Sequence, residues 1–389
     1  VSVANALNKN FSVIAGGPGT GKTYTVTKLL AALVMLEQQT LNHNAPEMRF
    51  ALIAPTGKAA QRLSESILQA VSQDKIPTEA LTIHRLLGYI PNSPNFRYNE
   101  DNQLPIDFLL IDEASMVDLA LLTRVFRAVP AQTKIVLLGD ADQLPSVAVG
   151  NVLADIAPRP HPGYSAENYQ YLQQVLGNTL LSKKMRINNK PYADHLTFLM
   201  KSRRFDSEGG IGKLAKSVIA GEASQSWALL EDSVTDGEVK PSPVTEVQTS
   251  NELSLIKPKA TINSNLSITD TASLKANQAI LVNFIQQFYQ PLFQCNTIFT
   301  AFETLHKFRI LCATRKGLQG VNNINEQVID YFQRNGSINT HANKSSRQST
   351  ASEKDRIGTN QAIYHAMPIL ISENHHKLGI YNGDIGIIW

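Results

Sequence analysis

Gly16-Gly17-Pro18-Gly19-Thr20-Gly21-Lys22-Thr23 follows the apolar run at 11–15 and precedes the helix-forming stretch Tyr24-Thr25-Val26-Thr27-Lys28-Leu29-Leu30. It fits the pattern G-x-x-x-x-G-K-[ST], in which glycines let backbone N–H groups close around phosphates. In that pattern Lys22 reaches the β/γ-phosphates and the Thr23 hydroxyl holds Mg²⁺. The flanks carry as much weight as the match. A buried strand enters, turn residues form the loop, and a helix leaves with its positive dipole end toward the anion. The spacing predicts an ATP and Mg²⁺ site on an α/β fold.

Outward from the loop, apolar residues at helical spacing run over 24–36. RFALIA at 49–54 reads as a buried parallel strand. Pro55-Thr56-Gly57-Lys58 follows it directly and opens another helix. Such a corner at the carboxyl edge of a parallel sheet is where ligands bind. Thr56 and Lys58 read equally as contacts to a nucleic acid backbone or as a capped helix start with a solvated Lys. His84, in Leu81-Thr82-Ile83-His84-Arg85-Leu86, reads as a hydrogen-bonded core residue or as a functional one. Residues 88–104 hold two prolines, four asparagines and two tyrosines, which is turn chemistry and predicts a small excursion over 88–106.

Phe108-Leu109-Leu110-Ile111-Asp112-Glu113 is an apolar strand ending in two carboxylates. Beside a phosphate loop, Asp112 is expected to hold Mg²⁺ through water, and Glu113 to orient and deprotonate the attacking water. KIVLL at 134–138 predicts a further buried strand. Gln143, on the loop after it, can touch the γ-phosphate because a neutral amide donates without repelling. Asp140 and Asp142 read as caps or turn residues.

The chain of 389 residues predicts more than one domain. A formal net charge of +3 decides nothing about partners. Two cysteines, Cys295 and Cys312, exclude a disulfide framework, suit a reducing compartment and read as buried residues. No apolar run approaches the roughly 18 residues of a membrane span, so a soluble, cytoplasmic protein is expected.

GGPGTGKT, APTGKAAQRL, TIHRLLG, IDEASMVDL and GDADQLPSV, in this order, resemble the first motifs of superfamily-one DNA helicases. Within that superfamily they most resemble RecD, the alpha subunit of exodeoxyribonuclease V. The resemblance implies two RecA-like P-loop domains, the first over 1–185 and an incomplete second over 186–389. Polar insertions are expected at 231–276 and 337–361, and the start of a small barrel near 379–389. It also implies single-stranded DNA as a partner, 5′-to-3′ movement and assembly with RecB and RecC. Carried over residue by residue, it makes Arg204, before Phe205, the arginine that faces the γ-phosphate. Arg203 stands where an aromatic residue is usual, so either arginine can take that role. Pro55, Thr56, Gly57, Lys58, His84, Thr314 and Arg315 become candidate DNA contacts, although a solvated turn explains Thr314 and Arg315 equally well. FRILCA at 308–313 is expected to be a strand, with a helix from Val321.

The later motifs and the adenine-contacting segment of the family find no match, so a fragment truncated at both ends is expected. Two other readings share these motifs: a stand-alone RecD-like helicase, and a nucleotide-binding interaction module without turnover. Exonuclease activity would belong to the complex, since no metal-binding carboxylate cluster stands outside the ATP site.

Overall fold

The computed structural model describes all residues except 41–46, 71–77, 91–92, 145, 147–148, 178–184, 188–190, 204–208, 232–270, 339–362, 373–374, 376–377, 379 and 381. The chain divides into two compact units, Val1–Leu255 and Ile256–Trp389.

The first unit opens with α1 (Ser2–Asn8), then β1 (Phe11–Gly16), the glycine loop and α2 (Lys22–Thr40). Next come β2 (Phe50–Ala54) with α3 (Gly57–Ala70), and β3 (Leu81–Thr82) with the single turn α4 (Ile83–Leu86). After the excursion follow β4 (Phe108–Ile111), α5 (Leu119–Ala128), β5 (Lys134–Gly139), α6 (Val152–Ile156) and α7 (Ala166–Leu176). The unit finishes with β6 (Leu196–Leu199), α8 (Gly210–Ile219) and α9 (Ala223–Glu231).

All pairings among β1–β6 are parallel, in the order β3-β2-β4-β5-β1-β6. Side chains alternate strictly across this sheet. Val13, Ala15, Ile53, Leu109, Ile111 and Leu137 pack on one face with Leu122 and Val125 of α5 and Leu153 of α6. Ile14, Leu52, Leu110, Val136 and Leu138 pack on the other with Val26, Leu29 and Leu30 of α2 and Leu63 and Ile67 of α3. Burial of each such side chain contributes about 1.5–3 kcal/mol, and two covered faces explain the continuous apolar runs.

Within the stretch 88–106, Tyr89 and Phe96 form an antiparallel bridge. The sixth strand lies beyond residue 185, where the sequence places the end of the first domain, yet β6 pairs with β1 through Gly16↔Leu199. Its signal is only the apolar residues 196–200 between His195 and Lys201.

The second unit contains α10 (Thr271–Phe284), α11 (Ile298–His306), α12 (Val321–Arg334), β7 (Pro368–Leu370) and β8 (Ile385–Ile387). Among its described residues the only sheet is the antiparallel β7-β8 pair, so the parallel sheet expected there is not among them. The strand expected at 308–313 is also not formed. Phe308 instead stacks on Phe288 at 4.3 Å and Phe284 at 5.4 Å, and the Arg309 guanidinium donates back to Leu305 O at the end of α11. No described strand lies alongside to pair with it. The helix expected from Val321 is present as α12. Cys295 and Cys312 are half-exposed rather than buried. Both polar insertions lie almost entirely outside the described residues. An apolar cavity of about 340 Å³ in this unit is lined by Tyr289, Phe293, Arg309 and Tyr364, among others, and contains none of the predicted site residues.

Candidate functional site

In a sheet whose strands all run one way, every carboxyl end lies on the same edge. That edge gathers most of the sequence-predicted residues. Gly16–Thr23 leave β1, Pro55–Lys58 leave β2, His84 follows β3, Asp112 and Glu113 leave β4, and Asp140–Gln143 leave β5. Strand order puts β5 between β1 and β4. With about 4.8 Å between neighbours, the glycine loop and the carboxylate pair stand about 10 Å apart. Pro55–Lys58 and His84, on β2 and β3, lie further along, about 14–19 Å from the loop's strand.

The loop is built from backbone that only glycine adopts without strain. Gly19 and Gly21 have φ of +72° and +86°. A Cβ on Gly16 would fall 2.7 Å from Thr20 Oγ1 and 2.9 Å from Leu199 Cβ, so β6 walls the loop on one side. Lys22 Nζ donates to Gly16 O at 2.6 Å and Gly17 O at 3.2 Å, folding its ammonium over the loop. Thr20 Oγ1 donates to Gly17 O at 2.8 Å, while the Thr20 N–H lies a long 3.4 Å from the same oxygen. The first helical bond of α2, Thr25 N–H to Gly21 O, is 2.9 Å.

Asp112 is lifted to about 6, first by burial and then by the neighbouring Glu113 carboxylate; the Glu113 N–H at 2.9 Å and the Lys22 charge oppose the rise. Glu113 sits at φ 50°, ψ 42°, left-handed backbone that a glutamate rarely holds. Its Oε2 is buried and has no hydrogen-bond partner.

Asp140 is buried and accepts the Asp142 N–H at 3.1 Å, a turn cap as expected. Its Oδ2 stands 3.9 Å from where a Gly17 Cβ would be, which places it against the loop. Gln143 is exposed, and its N–H donates to Asp140 O at 3.2 Å. Asp142 pairs with Arg159 at 2.8 Å, and the Arg159 guanidinium lies 4.5 Å over the Phe198 ring of β6.

At the far end of the edge, Thr56 Oγ1 accepts the Ala59 N–H at 3.2 Å and so caps α3. His84 is exposed and edge-on to Phe96 at 5.7 Å; it is not a core histidine. Thr314 and Arg315 are exposed in the second unit, where Thr314 Oγ1 donates to Lys316 O at 2.9 Å in a turn. Arg204 lies outside the described residues. Just before it, Ser202, to which the sequence assigns nothing, and Arg203, read from the sequence as the alternative to Arg204, both bond the glycine loop. Ser202 Oγ donates to Pro18 O at 3.0 Å, and the Arg203 N–H to Gly19 O at 2.8 Å. These two bonds leave no mark in the sequence, because one is made by a backbone N–H and the other by a lone serine.

These residues fit a magnesium nucleotide. The glycine backbone offers donors to phosphate, Lys22 carries a cation, and Thr23 and Asp112 bring the kind of oxygen atoms that would hold a hard divalent ion. Among the described residues no group of three or more His, Cys, Asp or Glu could hold a metal ion elsewhere. No described helix is long and apolar enough to cross a membrane.

A family model described as an AAA domain matches residues 1–149. The "RecBCD enzyme subunit RecD" of Haemophilus influenzae is 32% identical over 415 aligned residues, which cover 100% of this chain and 57% of that protein. The chain is similar to RecD along its whole length. The Mycobacterium tuberculosis RecD is 31% identical, with 98% of this chain and 54% of the relative covered. The "ATP-dependent RecD2 DNA helicase" of Deinococcus radiodurans is 41% identical over 145 residues, 37% of this chain and 17% of that protein. The RecD-like chain thus spans a little over half the length of the RecD relatives it matches. Among solved structures, Bacteroides Pif1 bound to single-stranded DNA is 19% identical with a TM-score of 0.34, covering 60% of this chain and 48% of that one.

Proposed function

We propose that the chain is the nucleotide-hydrolysing part of a DNA helicase motor and, in the full-length protein, a RecD-type subunit of a RecBCD complex moving 5′ to 3′ on single-stranded DNA. The observation that carries this reading is the shared sheet edge, with the glycine loop, the Asp112/Glu113 pair and Gln143 on strands β1, β4 and β5. ATP binds with its phosphates in the loop of residues 16–23. Mg²⁺, held by Thr23 and Asp112, neutralises phosphate charge when bound. Lys22 leaves the Gly16 and Gly17 carbonyls for the β/γ-phosphates. Glu113, its Oε2 without a competing donor, takes the proton of the attacking water. Gln143 reports the state of the γ-phosphate, and Arg204 or Arg203 stabilises charge on it. Pro55–Lys58, His84, Thr314 and Arg315 are the proposed DNA-facing positions. A nucleotide end and a nucleic acid end on one sheet let hydrolysis at one shift grip at the other.

Membership of a complex is favoured over a stand-alone helicase by the RecD similarity, which runs the length of the chain, whereas the RecD2 similarity covers 37% of it. The test is ATP hydrolysis by the full-length protein with and without single-stranded DNA. DNA should stimulate turnover, and Lys22→Ala should abolish it; undiminished turnover in that variant overturns the assignment of the loop. Co-purification with RecB and RecC checks the complex.

A further inference from the structure

The geometry points to Ser202 and Arg203 as a clip that sets the phosphate loop's own N–H groups. This inference rests on the nucleotide-binding reading and adds positioning residues to it.

A peptide unit is planar, with its C=O and the next residue's N–H fixed antiparallel in that plane. Whatever bonds the oxygen of one residue therefore aims the N–H of the following residue. In the glycine loop the backbone is soft, since Gly19 and Gly21 lie in conformations with few steric restraints. The Ser202 hydroxyl on Pro18 O fixes the plane that carries the Gly19 N–H. The Arg203 N–H on Gly19 O fixes the plane that carries the Thr20 N–H. These two amides lie at the tip of the loop, and among the described residues the Thr20 N–H meets an acceptor only at 3.4 Å, beyond the ordinary hydrogen-bond range.

The clip has a rigid base. Leu199 ends β6 in register with Gly16, and its Cβ and carbonyl oxygen crowd the space a Gly16 side chain would need. Only Met200 and Lys201 separate that anchor from Ser202. The loop is thus held from three directions: β1 below, α2 beyond Lys22, and the exit of β6 at the tip. Neither Ser202 nor Arg203 needs to touch the nucleotide for this. Removing the hydroxyl leaves the Gly19 amide free to wander, and part of the binding energy is then spent on ordering it.

The test is nucleotide binding and steady-state hydrolysis by the full-length protein, its Ser202→Ala and Ser202→Thr variants, and Lys22→Ala. One neutral hydrogen bond at a partly exposed position predicts that Ser202→Ala weakens ATP and ADP by the same factor, about three- to tenfold. KM for ATP rises by that factor while kcat holds, because the clip acts on the bound ground state and the transition state alike. Ser202→Thr keeps the hydroxyl and restores affinity. Amide hydrogen exchange in the nucleotide-free protein speeds up at the loop peptide in Ser202→Ala and not in Ser202→Thr. If Ser202→Ala binds both nucleotides as the parent does while Lys22→Ala does not, the clip is wrong and the nucleotide site stands. If the parent itself fails to bind ATP, the nucleotide reading fails and the clip goes with it.

Discussion

Asp112 is a carboxyl that the fold holds at a cost. Its folded value near 6 lies above the ordinary 3.8, so between those limits the folded chain keeps a proton that the unfolded chain has released. Stability from this group is therefore fully present below pH 3.8 and is lost as pH rises through about 6. At pH 7 the ionised carboxylate costs the nucleotide-free protein on the order of 3 kcal/mol. Asp112→Asn should be more stable than the parent at pH 7, with the gap closing as pH falls to 4, and its nucleotide binding should lose its dependence on Mg²⁺. Denaturant titrations across that pH range check the first part; equal stability throughout would contradict it.

Glu113 makes a different trade. Its left-handed backbone costs of order 1 kcal/mol or more and leaves Oε2 without a donor. Glu113→Gln keeps the shape and removes the base, so ATP should still bind while turnover falls by at least a hundredfold, as single-turnover kinetics can measure. That both residues stand at a strand end is legible in the sequence, because the apolar run 108–111 stops at them. Their geometry is not. The backbone at Glu113 depends on how residues 114–116 turn against Gly139, where a Cβ would lie 3.2–3.3 Å from the Ser115 and Ala114 nitrogens.

The same division holds for elements. Strands β1, β2, β4 and β5 are legible as apolar runs, since a strand buried on both faces has nothing polar to offer. Strand β6 has four residues, and β3 two, too few for a period to register. What holds helix α1 is not legible in the sequence. Lys134, at the start of β5, extends its ammonium to Ala6 O and Leu7 O at 3.1 Å each and to Lys9 O, and burial pushes that ammonium's pKa down. Alone in the sequence it reads as an ordinary strand-end lysine. Lys134→Met fills similar space but strands the carbonyls that end α1, so it should cost about 2 kcal/mol and lower Tm by a few degrees. Calorimetry at neutral pH checks this, and an unchanged Tm would show that water takes over the carbonyls.

For the whole molecule, the glycine loop reveals most of the first unit and little of the second. Phosphate chemistry dictates a strand, a loop, a helix and a nearby carboxylate, and that demand reaches far along the chain. Residues 256–389 have no comparable constraint in their sequence. The run at 308–313 is apolar enough for a strand, and only the stack of Phe284, Phe288 and Phe308 shows why it is not one. Thr314 and Arg315 accordingly sit on a turn before α12 rather than at the edge of a sheet.

The place of β6 has a consequence for how this chain is made. Strand β1 leaves the ribosome well before its neighbours in the sheet, β5 and β6, whose residues emerge more than a hundred positions later. At about 5–20 residues per second, β1 spends many seconds with both ladders unpaired. Until residue 203 is out, the phosphate loop has no outer wall and no anchor at its tip. A nascent chain stalled near residue 190 should bind nucleotide poorly and expose a sticky β1 edge that recruits chaperones. One stalled past residue 230, with α8 and α9 already out, should bind ATP while still tethered. Arrested chains of the two lengths, probed with a photo-crosslinking ATP analogue, would show when during synthesis the engine first holds its fuel.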